Sequence, residues 1–178
     1  ATQNPKDFDN LLSVYLDAVF FSRLDPLDFA QEGHRVELAS DEADAPLVYK
    51  GVVFNEMKGA MSSISSVLWD RLCFELFPTS TYHFNSGGDP EAIPDLSYDQ
   101  LMAFYKGHYH PSNAILLTFG NLPVSQHHDV FEREALSRFE RSDEHIEVTL
   151  EQAFDAPKRA VHHYALEDAN TDNKTHLI

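Results

Sequence analysis

Residues 49–60 have the sequence YKGVVFNEMKGA, and their pattern predicts an amphipathic helix. The apolar stripe of that helix comprises Val52, Val53, Met57, Ala60 and Met61. Its spacing assigns position 56 to the same buried face, and position 56 is a glutamate. Burial of an ionised carboxylate is costly unless the group is paired, protonated or bound to a metal. Glu56 is therefore either a carboxylate at the rim of the core, paired with an arginine such as Arg71, or a functional group such as a metal ligand.

The chain on both sides of this helix, which should run from about Tyr49 to Met61, has the patterns of several further helices and of one strand. Helical spacing of apolar side chains recurs at about 6–23, 67–76 and 124–139, and Ser97–Gln100 has the capping-box pattern of a helix that ends near His110. The apolar run in 113–120 predicts a buried strand, and 79–94 is a predicted loop. The stretch 27–46 is mixed and acidic, and its run Asp41–Asp44 is most simply a solvated loop.

Composition limits the classes of partner. The chain has 178 residues, 29 of them acidic and 13 basic, for a formal net charge of −16. This charge repels polyphosphate, so we expect no nucleic-acid or anionic-membrane partner and favour cationic peptides. No apolar run approaches the roughly 18–20 residues of a membrane span, which predicts a soluble protein. The single cysteine, Cys73, cannot form an internal disulfide.

The motifs that usually supply a catalytic zinc site are incomplete in this chain. A catalytic zinc needs about three protein ligands, and neither H-E-x-x-H nor H-x-x-E-H occurs in the sequence. His108 and His110 flank a helix end, where capping or packing is the expected role, and the adjacent pairs at 127–128 and 162–163 are expected at the surface. Glu56 would therefore be one ligand that requires two others from elsewhere.

Four stretches in the same order resemble one protein family. They are DNLLSVYLDA at 9–18, YKGVVFNEMKGA at 49–60, SGGDPEAIP at 86–94 and HYHPSNA at 108–114. Together they resemble the pitrilysin/insulinase family of zinc metallopeptidases (inverzincins), in its presequence-protease subgroup. The 49–60 stretch is similar to the helix that carries the downstream zinc ligand of that family.

The resemblance implies a role for Glu56 and a cofactor. Family members bind zinc through the two histidines of H-x-x-E-H on an earlier helix, whose glutamate is the general base, and a glutamate far downstream completes the site. Glu56 matches that downstream zinc ligand. The mitochondrial processing peptidases carry another glutamate seven residues before the ligand, but this chain has Tyr49 there, so that role is not transferred. No catalytic residue is expected within the chain itself.

The resemblance also predicts the fold, the substrates and the domain organisation. It implies an α+β fold with a mixed or antiparallel sheet packed by several helices. The intact parent protein is expected to be a zinc endopeptidase that degrades short unstructured peptides, such as cleaved targeting sequences. Residues 1–140 would be the C-terminal half of its first metallopeptidase-like domain, and 141–178 a linker and the start of the following domain. Both chain ends are interpreted as cuts, so the chain alone should be inactive and should pair with the missing N-terminal and C-terminal parts or self-associate. The alternative is a noncatalytic, peptidase-like structural or peptide-binding subunit. Bacterial cytoplasm and organelle matrix both remain open as the location.

Overall fold

The computed structural model describes residues 2–166 and 172–178, which form an α+β structure. Six helices are present among these residues: α1 (Pro5–Phe20), α2 (Pro26–Asp28), α3 (Val52–Ala60), α4 (Ile64–Leu76), α5 (Tyr98–His108) and α6 (Val124–Glu134). A π-helical turn, Phe29–Gly33, continues α2. Two strands, β1 (Arg35–Leu38) and β2 (Leu47–Lys50), form an antiparallel hairpin. Short 3₁₀ turns lie at Thr81–His83, Ile93–Asp95, Pro111–Asn113 and Leu136–Arg138.

The chain divides into two compact units. The first contains the residues up to Pro26 together with Ser97–Glu147, and the second contains Leu27–Leu96 with the described residues from Val148 onward. The first unit therefore holds α1, α5 and α6, whereas the second holds the hairpin, α3 and α4.

The first unit is organised by the packing of α1 against α6. Leu16 and Phe20 of α1 are buried together with Phe131 and Ala135. The predicted apolar face of α1 is only partly confirmed, because Leu16 is 1% exposed whereas Tyr15 is 66% exposed. The core of this unit is small. Hydrogen bonds between its elements therefore contribute more to fixing their positions than they would around a larger core.

Helix α5 closes the C-terminal end of α1 through a tyrosine hydroxyl. The predicted capping box is confirmed: the Ser97 N–H donates to the Gln100 side chain over 2.7 Å, and the Gln100 N–H donates to the Ser97 hydroxyl over 3.3 Å. Further along α5, the Tyr105 hydroxyl donates to the Val19 carbonyl over 2.8 Å and accepts from the Ser22 N–H over 3.1 Å. A single side chain thus pairs a carbonyl that the C-terminal end of α1 leaves without a partner and the amide of a residue just beyond that end.

The hairpin changes the expected start of α3. The acidic run 41–44 is a loop as expected, but β1 precedes it in a stretch that was assigned no strand, and Val36 of β1 pairs with Tyr49 of β2. Tyr49 and Lys50 therefore belong to a strand, and the helix expected from about Tyr49 begins at Val52. The alternation of polar and apolar residues in β1, Arg35–Leu38, is the signal that would have predicted that strand, whereas β2 does not alternate.

The expected buried strand at 113–120 is absent. The 3₁₀ turn ends at Asn113, and the following residues have no regular secondary structure. Ile115, Leu117 and Phe119 are 96, 86 and 96% exposed. A strand needs a neighbour to pair its N–H and C=O groups, and no such neighbour lies beside this segment within the described part of the chain. The segment has the apolar composition of a buried strand, but the described residues contain no strand that pairs with it and covers its side chains.

Other boundaries agree with expectation. Helix α4 ends at Leu76, ahead of Pro78, and α6 begins at Val124, although α6 ends at Glu134 and a 3₁₀ turn follows. No helix in residues 2–166 and 172–178 is both long enough and apolar enough to cross a bilayer.

Replacement of Tyr105 by phenylalanine should destabilise the first unit by about 1–2 kcal/mol, because the Val19 carbonyl and the Ser22 amide both lose their partner. Tyr109 provides the matched control, since its ring stacks on Tyr105 at 5.0 Å and its hydroxyl makes no hydrogen bond within the described residues. Urea unfolding followed by circular dichroism measures both variants. Equal loss in Tyr105→Phe and Tyr109→Phe would mean that the hydroxyl contacts contribute nothing.

Candidate metal-ligand site

The start of α3 is fixed by a close approach of two backbone segments. Gly51 is buried, and a Cβ atom placed on it would lie 2.0 Å from the carbonyl oxygen of Gly33. The backbone at Gly51 is extended, with φ at 169°, so its conformation would suit any residue. Space is therefore what requires glycine at the junction between β2 and α3.

The buried face of α3 packs against the loop that follows α4. Phe54 and Met57 are 9 and 8% exposed and form a small core with Ile93. Gly87 lies directly on Met57, because a Cβ atom there would come within 2.4 Å of the Met57 sulfur. Two of the stretches that carry the family resemblance, 49–60 and 86–94, are thereby brought into contact, and this contact sets the rotation of α3 about its axis.

Glu56 lies on the opposite, exposed face of α3, so the expectation that it is buried was wrong. Val52 and Val53 share this face and are 52 and 38% exposed, and Ala60 one turn further on is exposed as well. Phe54 was not assigned to the apolar stripe, but it is the residue that packs in the core. The helix is therefore rotated so that Phe54 faces inward and Glu56 faces outward. Helical spacing groups residues on one face but cannot tell which of two apolar faces is covered.

The Glu56 carboxylate has no protein cation or hydrogen-bond donor as a partner within the described residues. The expected alternative, a pair with Arg71, does not form. The two cations of the hairpin are already paired with another carboxylate. Lys50 on β2 and Arg35 on β1 contact the Glu37 carboxylate at 2.6 and 2.7 Å. These contacts, Lys50 foremost, lower the pKa of Glu37. Glu56 is therefore an accessible oxygen donor that could bind a metal from the outer side of the helix.

A second apolar surface lies on the hairpin that leads into α3. Cross-strand neighbours Val36 and Tyr49 are 54 and 50% exposed, and the pair Leu38 and Leu47 are 42 and 69% exposed. The other face of the hairpin carries the Glu37 ion pairs. Hairpins normally bury the apolar face. The second unit thus presents uncovered apolar side chains on the hairpin and around Glu56.

No three His, Cys, Asp or Glu side chains are grouped for metal binding in the part of the chain that the structure describes. His108 and His110 have the expected local roles: Nδ1 of His108 bonds to the Phe104 carbonyl, and Nδ1 of His110 accepts from the Ser112 N–H. The surface expectation was wrong for His127, which is 6% exposed and packs edge-on against Phe8. Glu56 therefore has no companion ligand among these residues.

Sequence reasoning also missed the contacts of the C-terminal segment. The side chain of Glu151 bonds to Thr79 and Ser80, and that of Glu75 bonds to Lys158 and His162. No local pattern indicates contacts between residues more than 70 positions apart. His162 was expected at the surface, where it lies, but in a pair with Glu75.

Comparison with known proteins agrees with the motif resemblance. Residues 95–178 match the family described as "Peptidase M16 inactive domain". The chain is 50% identical over 159 residues to the mitochondrial presequence protease of Danio rerio. The aligned region covers 89% of the chain and 16% of that protein. It is 42% identical over 168 residues to the mitochondrial presequence protease of Schizosaccharomyces pombe, covering 94% of the chain and 17% of the relative. Protein HypA of Clostridium perfringens is 35% identical over 175 residues, 97% of the chain and 18% of HypA.

The family resemblance read from the motifs is confirmed, since the chain is similar to peptidase M16 proteins over most of its length. It spans less than a fifth of the length of these relatives. Glu56 lies outside residues 95–178, so the inactive-domain description does not refer to the helix that carries it. Similarity to this family points to a metal cofactor in general.

Replacement of Gly51 by alanine should destabilise the second unit by about 2–3 kcal/mol, because the new methyl group meets the Gly33 carbonyl and neither backbone can yield cheaply. Gly59 offers the opposite control, since it lies inside α3 with no atom within 4 Å of the place that a Cβ would take, and alanine there should stabilise by about 0.5–1 kcal/mol. Thermal or urea unfolding distinguishes the two. Similar small effects from both substitutions would contradict the proposed steric requirement at Gly51.

Proposed function

We propose that this chain contributes Glu56 as a zinc ligand to a zinc-dependent endopeptidase that degrades short unstructured peptides, such as cleaved targeting sequences. The observation that carries the proposal is the position of Glu56, which is an accessible carboxylate without a protein cation among the described residues, on a helix face that also holds exposed valines. The identity to presequence proteases over most of the chain supports the same assignment. The whole parent protein would supply the H-x-x-E-H motif and the general base.

The chemistry of the donor set fits this role in part. A carboxylate oxygen is an ordinary zinc ligand, and Glu56 would add negative charge and fix one coordination direction. Zinc in such a site lowers the pKa of its bound water and polarises the peptide carbonyl. Glu56 alone cannot hold zinc tightly, because a catalytic site requires about three protein ligands. The remaining ligands must therefore come from outside the described residues.

The exposed apolar side chains support a covering partner for this chain. Ile115, Leu117 and Phe119 are 86–96% exposed, and the four side chains of the apolar hairpin face are 42–69% exposed. Apolar patches of this kind are typical of surfaces that another protein segment covers. We propose that the missing N-terminal and C-terminal parts of the same protein cover them, and that the isolated chain self-associates in their absence. The chain covers only 16% of the Danio rerio relative, so such parts are plausible.

Charge and relatives guide the remaining assignments. The net charge of −16 favours cationic peptide substrates, because targeting sequences are rich in arginine and poor in acidic residues. The relatives named mitochondrial favour an organelle matrix, whereas the clostridial relative keeps the bacterial cytoplasm open. We retain the domain assignment of 1–140 as half of the first metallopeptidase-like domain and 141–178 as linker and start of the next. The lack of helix or strand in the described residues after the 3₁₀ turn at Leu136–Arg138 supports a linker there.

A noncatalytic peptidase-like subunit is the second candidate function. The match of residues 95–178 to a family described as an inactive domain favours a noncatalytic role for that part of the chain, but the match does not include the helix of Glu56. The two candidates differ in the sequence encoded upstream of Ala1: the peptidase requires H-x-x-E-H on an amphipathic helix before this chain, and the structural or peptide-binding subunit does not. Reading that sequence decides between them, since an intact upstream half without the motif would exclude catalysis.

In the full-length protein, Glu56→Gln should weaken zinc binding by more than the roughly 10- to 100-fold that loss of an outer-shell partner costs, because a neutral amide replaces a direct ligand. Zinc content per protein measures binding, and cleavage of an arginine-rich unstructured peptide measures activity. Glu132→Gln is the control, since Glu132 is also an exposed helical glutamate. Full zinc content and full activity in Glu56→Gln would contradict the ligand assignment.

The 178-residue chain by itself should not cleave that peptide above the background measured with a chelator present, because it lacks both histidine ligands and the general base. Metal-dependent cleavage by the purified chain would contradict this expectation. Self-association is measured on the same sample by sedimentation velocity.

A further inference from the structure

The end of α4 holds the C-terminal segment of the second unit through a carboxylate from that segment. Glu151 accepts hydrogen bonds from the Thr79 and Ser80 backbone N–H groups over 2.9 and 3.0 Å and from the Thr79 hydroxyl over 2.6 Å. Its own neighbour Gln152 adds a backbone N–H at 3.2 Å. Successive backbone amides that converge on one carboxylate form an anion-binding nest. Glu151 thus fills a binding site built by the turn after α4.

A second carboxylate lies on the helix itself and binds side chains of the segment. Glu75, in the last turn of α4, contacts the Lys158 ammonium at 2.6 Å and Nε2 of His162 at 2.7 Å. The chain runs from Glu75 through the end of α4 directly to Thr79. Both carboxylates therefore act at one end of one helix, and they engage the segment at two separated points.

Apolar burial contributes little to this docking. From residue 148 to residue 166 only Glu151, Tyr164 and Leu166 are half-buried, and the other positions are exposed. The described part of the segment contains neither helix nor strand that could order it from within. Polar contacts must therefore hold it, and those of Glu151 are the stronger set, because exposed ion pairs such as Lys158 with Glu75 are individually weak.

We propose that Glu75 and Glu151 form a two-point polar latch that fixes residues 151–162 to the end of α4, so that this stretch is an anchored arm of the second unit and not a free linker. The latch is independent of Glu56 and of any metal. It gives the segment predicted as a linker a defined position relative to α4.

The protonation behaviour of the two carboxylates is consistent with a latch that stays closed near neutral pH. The Thr79 hydroxyl, followed by the amides of Thr79, Gln152 and Ser80, lowers the pKa of Glu151 to about 2. Lys158 and then His162 lower the pKa of Glu75. A lowered folded-state pKa gives stability that is present above the unfolded value of 4.5 and is lost as the pH falls towards about 2. The contacts of Glu151 should therefore be lost only in strong acid.

Limited trypsin digestion of the full 178-residue chain tests the latch, because Lys158 and Arg159 lie within the anchored arm and cleavage requires local detachment. Arg159 is the preferred readout, since it does not take part in the ion pairs of Glu75. Glu151→Gln should accelerate cleavage after Arg159 about tenfold, because a neutral amide loses the charge-assisted hydrogen bonds. The double variant with Glu75→Gln should exceed either single variant.

Glu147→Gln is the matched control, because Glu147 is exposed, lies four residues before Glu151 and makes no hydrogen bond or ion pair within the described residues. It should leave cleavage after Arg159 unchanged. Cleavage after Arg133, on α6 of the other unit, reports general unfolding in the same digest. An unchanged rate after Arg159 in Glu151→Gln, or an equal acceleration after Arg133, would overturn the latch.

Discussion

The close approach of Gly51 to the Gly33 carbonyl is the constraint on which the second unit depends. It joins the turn after α2 to the junction between β2 and α3, where any side chain would strike backbone. The hairpin and α3 therefore leave that point in fixed directions. Phe54 and Met57 then complete the orientation by packing with Ile93. The outward direction of Glu56 follows from these inner contacts.

The proposed role of Glu56 requires a second surface to meet the outer face of α3. An accessible glutamate beside exposed valines gains little in isolation, because its water-exposed charge and the apolar side chains around it have no partner among the described residues. Both gain when another surface brings a cation to the carboxylate and covers the valines. The M16 relatives are several times longer than this chain, which is consistent with a centre assembled from distant parts of the sequence.

The two units achieve their order by different means. In the first, α1 and α6 share a core around Leu16, and tyrosine hydroxyls from α5 bind the backbone at the end of α1 and just beyond it. In the second, the segment after residue 148 is held almost entirely by polar groups at the end of α4. Polar contacts of this kind fix the position of the segment without a larger core. The free energy of docking comes from satisfied hydrogen bonds more than from buried apolar area.

The sequence by itself determined the family resemblance, the α+β class that it implies, the capping box at Ser97 and the end of α4 ahead of Pro78, because these depend on neighbouring residues or on motifs in a fixed order. Only the tertiary structure decided which side of α3 is covered, that His127 is buried and that Glu151 binds the turn after α4. The segment at 113–120 has the composition of a strand but no strand beside it within the described residues. Local periodicity sorts side chains into faces, whereas burial and pairing require a partner that can come from anywhere in the chain, and a local pattern contains no information about that partner.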